Sequence, residues 1–238
     1  MPLYSATCPL PKNQMLRRHQ ASAPFSPADI TGLSLWLKPD AGLNSLLGVV
    51  TEWTDQSSVG NDFSQDLDYL AYVEGDVING YDAVLFEGGR LNGDSDIVTA
   101  KTIYAVVRTL GYQPEAYAAI LECTGGSLYS AISDTQWGSY FNEGISSYDS
   151  LAVNTPAIIA TLSDDGEIIE YRKNGASILS GSYGEGFYSR SASYLGCDGG
   201  GGQPANVYIS EIIVYNNVPS PANIALLETY LNTKYAIY

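Results

Sequence analysis

Cleaving a glycoside takes two carboxylates placed across one bond, and the stretch "GEIIEY" offers Glu167 and Glu170. Three residues apart on an extended strand, these side chains leave opposite faces and cannot work as a pair. The single histidine, His19, lies in a stretch with nothing to fix its geometry, so neither a Ser-His-Asp nor a Cys-His site is expected. Hard oxygen donors occur in "LNGDSDI", where Asn92, Asp94 and Asp96 alternate in a way that suits calcium. The loop is not an EF-hand, because Ile97 and Ile103 stand where that loop needs Gly and Glu. Asp164-Asp165, and Asp198 ahead of Gly199–Gly202, are further oxygen-rich turns, though Asp-Gly commonly serves only to turn the chain. That glycine run lacks the lysine and the spacing of a phosphate cradle. No cofactor is therefore expected, with calcium the one ion these residues could take.

Recognition chemistry is better represented. Trp137, Tyr140, Phe141 and Tyr148 occur within sixteen residues, and Tyr183, Phe187, Tyr188 and Tyr194 follow among Ser and Gly. Rings set among small polar residues give contact area at low entropy cost and suit both sugars and protein partners. The competing use is core and cross-strand packing, which claims many aromatics in sandwiches.

Charge narrows the partners. The 238 residues carry a net charge of −15, yet residues 1–25 hold Lys12, Arg17 and Arg18 and no acid, so that segment is +3 and the remainder −18. So acidic a body repels phosphate backbones, and nucleic-acid binding is not expected. The basic segment contains four prolines and no apolar periodicity, which makes residues 1–25 an extended arm able to dock on an acidic neighbour. Three cysteines, Cys8, Cys123 and Cys197, do not form a disulfide framework. No secretory leader is read at the start, and no apolar run reaches transmembrane length.

The elements that must position these residues are mostly strands. In "LSLWLK" Leu33, Leu35 and Leu37 alternate with Ser34, Trp36 and Lys38, the pattern of a half-buried strand. Strands are also expected at "VVTEW", "AVLFEG", "KTIYAVVRTL", "YAAILE", "GSYFN", "PAIIATLS", "EIIEYRK", "SYLGC" and "NVYISEIIVY". Asn174-Gly175 predicts a type I′ hairpin, with the Glu170 and Arg172 face the wetter one. Ser220 as N-cap, Pro221, and Ile224, Leu227 and Leu231 predict an amphipathic closing helix. The class is all-β, with an arm at 1–25 and one domain at 26–238.

The sequence order "PADITGLSLWLKPDAG", "VVTEWTDQSSVGNDF", "AVLFEGG", "KTIYAVVR", "YRKNG", "YLGCDGG" and "YISEIIVYNNVPSPANIALLETYLNTKYAI" resembles the laminin-G-like branch of the concanavalin A-like lectin/glucanase superfamily, over residues 26–238. That resemblance implies a jelly-roll sandwich of two antiparallel sheets with a short C-terminal helix beside it. It also implies a structural role for Glu211, which shares a face with Ile209, Ile213 and Tyr215. The glucanase members' Glu-x-Asp-x-x-Glu motif is missing. Proteins of this type are adhesion or carbohydrate-binding modules and phage structural proteins. The resulting expectation is a non-enzymatic bacteriophage virion component, a capsid decoration or tail-associated protein. Lys12, Arg17 and Arg18 would dock on other virion proteins or on copies of the chain in a homo-oligomer, without membrane insertion. A cell-surface or extracellular lectin that binds glycans through Trp137, Tyr140, Phe141, Tyr148, Tyr183, Phe187 and Tyr188 is the alternative, and a divergent glycan hydrolase the third.

Overall fold

The computed structural model describes residues 24–93, 100–111, 118–124, 127–131, 136–141, 144–164, 167–183, 192–199, 201–202 and 204–238. After a 3-10 turn at Pro27–Asp29, the strands are β1 (Leu33–Leu37), β2 (Leu43–Leu46), β3 (Val49–Trp53), β4 (Phe63–Gln65), β5 (Tyr72–Ile78), β6 (Tyr81–Glu87), β7 (Leu91–Gly93), β8 (Thr102–Thr109) and β9 (Ala118–Glu122). They continue as β10 (Ser127–Ala131), β11 (Gln136–Phe141), β12 (Gly144–Ser150), β13 (Pro156–Asp164), β14 (Glu167–Lys173), β15 (Ala176–Tyr183), β16 (Tyr194–Leu195) and β17 (Asn206–Tyr215), and the helix α1 (Pro221–Tyr235) closes the chain. The expected all-β sandwich is present, and every strand pairing is antiparallel.

One layer runs β17–β8–β13–β14–β15, with β1 and β6 sharing the other side of β17 and β5 beyond β6. The other runs β2–β3–β4–β7–β16–β9–β10–β11–β12. Val49 opposite Tyr72 joins the two at one edge. Between the layers lie Leu35, Leu37, Ile103, Val107, Ile159, Val207, Ile212 and Val214, facing Val50, Trp53, Phe63, Ile120 and Leu195. On the outer side of the first layer, Trp36, Tyr104, Val106, Ile158 and Ile213 meet Ile224, Leu227, Leu231 and Tyr235 of α1. The alternation along β8 serves both cores, Ile103, Ala105 and Val107 inward and Tyr104 and Val106 outward.

The helix corrects one sequence expectation. β1 is buried on both faces rather than half-buried, since α1 covers the side that water would occupy. The Glu170–Arg172 face is the wetter side of β14, as expected, since both residues are half-buried and Tyr171 is fully buried, and it meets the edge of the helix. Arg172 Nε and Nη2 donate to the Glu228 carboxylate at 2.6 and 3.0 Å, and Arg172 Nη1 donates to Glu170 at 2.5 Å. The helix forms as its sequence dictates: Ser220 Oγ accepts from Asn223 N–H, Pro221 opens the first turn, and Ala236 closes it at φ 49°. Both turn residues Asn174 (φ 49°) and Gly175 (φ 77°) are left-handed, the type I′ turn that the dipeptide predicts.

Loop geometry places Trp36. The Asp55 carboxylate in "DQSSVGND" accepts from the backbone N–H of Trp36, Ser57, Gly60 and Asn61 and from the Ser57 hydroxyl. One buried carboxylate thus closes the loop and pins β1 to it.

The β2–β3 turn, Leu47-Gly48, is also type I′, but Leu47 holds φ 52° with 96% of its surface exposed. Its strained backbone gains no packing in return. Leu47→Asn is expected to raise stability by about 1 kcal/mol. A urea midpoint equal to or below that of the parent protein would contradict this.

Candidate attachment groove at the arm root

β17 carries a register shift between Ile209 and Glu211, so one extra residue interrupts the alternation. Ile209 turns into the inter-sheet core while Glu211 joins Ile213 and Tyr215 toward the helix, so the expectation that Ile209 and Glu211 share a face is wrong. Glu211 is fully buried. Its Oε1 accepts from Trp36 Nε1 at 2.8 Å and Tyr230 Oη at 3.0 Å, and its Oε2 from Tyr235 Oη at 2.7 Å and Lys234 Nζ at 2.9 Å. Four donors from β1 and α1 converge on one carboxylate, which is how a charge is tolerated there.

Lys234 also donates to Asp40 Oδ1 at 3.0 Å. Burial pulls the Asp40 carboxyl upward, but the hydrogen bond and charge of Lys234 outweigh it and leave its pKa below the ordinary value. Burial and the nearby Glu211 charge push the Tyr230 and Tyr235 hydroxyls well above theirs.

Above this network opens a groove of about 590 Å³, walled by the rings of Phe25, Trp36, Tyr81 and Tyr230 and edged by Thr229 and Thr233 of α1. Tyr230 stands edge-on to both Trp36 and Phe25, each with ring centroids 6.3 Å apart. Lys38 Nζ lies 4.3 Å from the Trp36 ring centroid. Pro24 and Phe25, the first described residues, form one end. Ser26 caps the 3-10 turn, and Tyr215 Oη donates to Pro27 O at 2.8 Å, which anchors that root. The chemistry is that of a grip: fixed aromatic faces, a few polar edges, and a carboxylate whose oxygens are already occupied.

The sequence-selected sites fare unevenly. Trp137 is not at a recognition surface. It is fully buried in the inter-sheet core, its ring 5.6 Å from that of Tyr171, so it can offer no face to a ligand. Tyr140, Phe141, Tyr148 and Tyr183 lie on β11, β12 and β15, but their side chains, like Phe187, Tyr188, Lys12, Arg17 and Arg18, fall outside the described residues. Asp94 and Asp96 also fall outside them. Of that trio Asn92 is described, and its Nδ2 donates to Asp66 Oδ2 at 3.0 Å. The Arg90 guanidinium lies 2.5 Å from the same carboxylate and against the rings of Tyr69 and Tyr194. Among the described residues no group of three or more His, Cys, Asp or Glu could hold a metal ion. The groove itself escaped sequence reading because Phe25, Trp36, Tyr81 and Tyr230 are distant along the chain; the one usable signal was Glu211 amid apolar neighbours.

No protein-family model matches the chain, and no curated protein does either. Solved structures do. The binding domain of Paraclostridial Mosquitocidal Protein 1 is similar at TM-score 0.59 and 10% identity, over 87% of this chain and 53% of that one. The receptor-binding domain of botulinum neurotoxin type G is similar at 0.57 and 15%, over 84% and 52%. Trypanosoma rangeli sialidase is similar at 0.55 and 15%, over 90% and 36%. The likeness is one of fold, and this chain spans about a third of the sialidase and about half of each toxin domain.

Proposed function

We propose that this chain is a non-enzymatic structural attachment module, a concanavalin A-like, laminin-G-like sandwich held in a larger assembly by its N-terminal arm. The assembly we favour is a bacteriophage virion, with the chain as a capsid decoration or tail-associated protein. One observation carries the reading: a basic, proline-rich segment enters a body of charge −18 at an aromatic groove. An arm of opposite sign to its body favours docking on acidic neighbours, copies of the chain included. The placement in a virion is drawn from the sequence resemblance.

Removing residues 1–23 tests it. The 24–238 chain retains every strand and the helix described above, and it is expected to keep the denaturation midpoint of the full chain. Tagged full-length chain produced in its native host should co-sediment with particles, and the shortened chain should remain in the soluble fraction, its incorporation at least about tenfold lower. Equal incorporation of both would remove the arm from the account.

A further inference from the structure

We propose that the groove beside α1 receives the uncharged tip of the arm, residues 2–11, from a second copy of the chain. The inference rests on the reading of residues 1–25 as an attachment element and adds the receptor site for it. The tip, "PLYSATCPLP", contains Pro2, Pro9 and Pro11 and no charge. Proline-rich segments are pre-set in the extended polyproline conformation and dock on grooves lined by aromatic rings. The groove meets that requirement with Phe25, Trp36, Tyr81 and Tyr230. Two of these rings are already fixed, since Trp36 Nε1 and Tyr230 Oη both donate to Glu211, so little ordering is needed on binding.

Where the chain leads gives the second argument. Pro24 lines the groove, and the twelve residues between Pro11 and Pro24 span up to roughly 40 Å when extended. That is enough for an arm rooted at one groove to reach the same groove on an adjoining copy. Reciprocal exchange about a two-fold axis closes the contact, each copy giving and receiving the same segment. Charge favours exchange over folding back on the same chain. Two bodies of −18 repel each other, and an exchanged arm lays Lys12, Arg17 and Arg18 across the partner's acidic body, whereas folding back leaves the repulsion between copies in place.

Sedimentation velocity on the full-length chain up to about 100 µM tests this with two variants. Thr233→Trp fills the groove from an exposed helix position, and Pro9→Ser/Leu10→Ser/Pro11→Ser alters the tip; both should keep the parent denaturation midpoint. The parent chain is expected to associate, each variant to associate at least about tenfold more weakly, and a one-to-one mixture of the two to associate more tightly than either variant alone but less tightly than the parent, since one supplies the tip and the other the groove for one of the two contacts. A monomeric parent chain overturns the proposal, as does a Thr233→Trp chain that associates like the parent. If removing residues 1–23 abolishes association while Thr233→Trp does not, the arm still attaches but this groove is not its receptor. If neither change matters, the exchange falls, and the attachment reading is decided separately by co-sedimentation with particles.

Discussion

Glu211→Ala is expected to lower the unfolding free energy by about 3–5 kcal/mol, a large share of the 5–15 kcal/mol typical of a folded domain. The carboxylate is wholly buried and is the common acceptor for Trp36, Tyr230, Lys234 and Tyr235. Its removal orphans an indole N–H and two phenol hydroxyls, and leaves Lys234, whose side chain is 10% exposed, with Asp40 as its remaining ion-pair partner. Glu211→Gln should lose less, because an amide oxygen still accepts from a tyrosine. Its NH2 would nonetheless face the Lys234 ammonium, donor against donor. Glu211→Gln/Lys234→Met removes that clash together with the buried charge, and should recover at least half of the single variant's loss. Urea denaturation followed by tryptophan fluorescence measures all three. A Glu211→Ala midpoint that shifts by less than about 1 kcal/mol would mean that the network contributes little to stability.

The same residue separates what the sequence revealed from what it concealed. A carboxylate between Ile209 and Ile213 was visible as a group in need of a partner, and Glu211 proves to be a structural acceptor. Its partners were not visible, since Trp36 is 175 positions away and the α1 donors are 19 to 24 away. Nor was the register shift that turns it to the helix side, because Ser210 carries no signal that it interrupts an alternation. Local rules were reliable where they are local: Asn174-Gly175 turns as type I′ and Ser220 caps α1. Period-2 reasoning failed at β1 for a global reason, as a strand between two cores has no wet face to display. Composition misled in a similar way at Trp137, where a ring amid polar residues packs inward on Tyr171. The groove combines both limits: its rings come from the arm root, β1, β6 and α1, and only the helix that covers the sheet brings them together.

Alkaline pH should unfold the protein cooperatively, because the helix layer rests on tyrosines that resist ionisation. Burial, then the nearby charge of Glu211, raises the pKa of Tyr230 and Tyr235; burial and Asp29 raise that of Tyr215. Burial, with Glu228 adding to it, does the same for Tyr104. A group whose pKa is raised in the folded state stabilises that state fully below its unfolded pKa, which is about 10 for tyrosine. Above that value the unfolded chain releases the proton while the native chain holds it. Stability then falls by about 1.4 kcal/mol per pH unit for each such tyrosine, so the three around Glu211 and the arm root remove about 4 kcal/mol per unit. Burial also pushes the Cys197 thiol up to about 11, so its share of the loss begins near pH 9 and is complete by about pH 11. The stabilisation of a typical domain is then exhausted within roughly two to three units above pH 10. Urea midpoints should be level from about pH 7 to 9 and drop steeply beyond 10. Tyrosinate absorbance should rise in two stages, exposed rings first and the buried ones only together with loss of tryptophan burial. A midpoint that stays level past pH 11, or buried rings that ionise before unfolding, would show that these hydroxyls are not tied to the packing of α1 on the sheet.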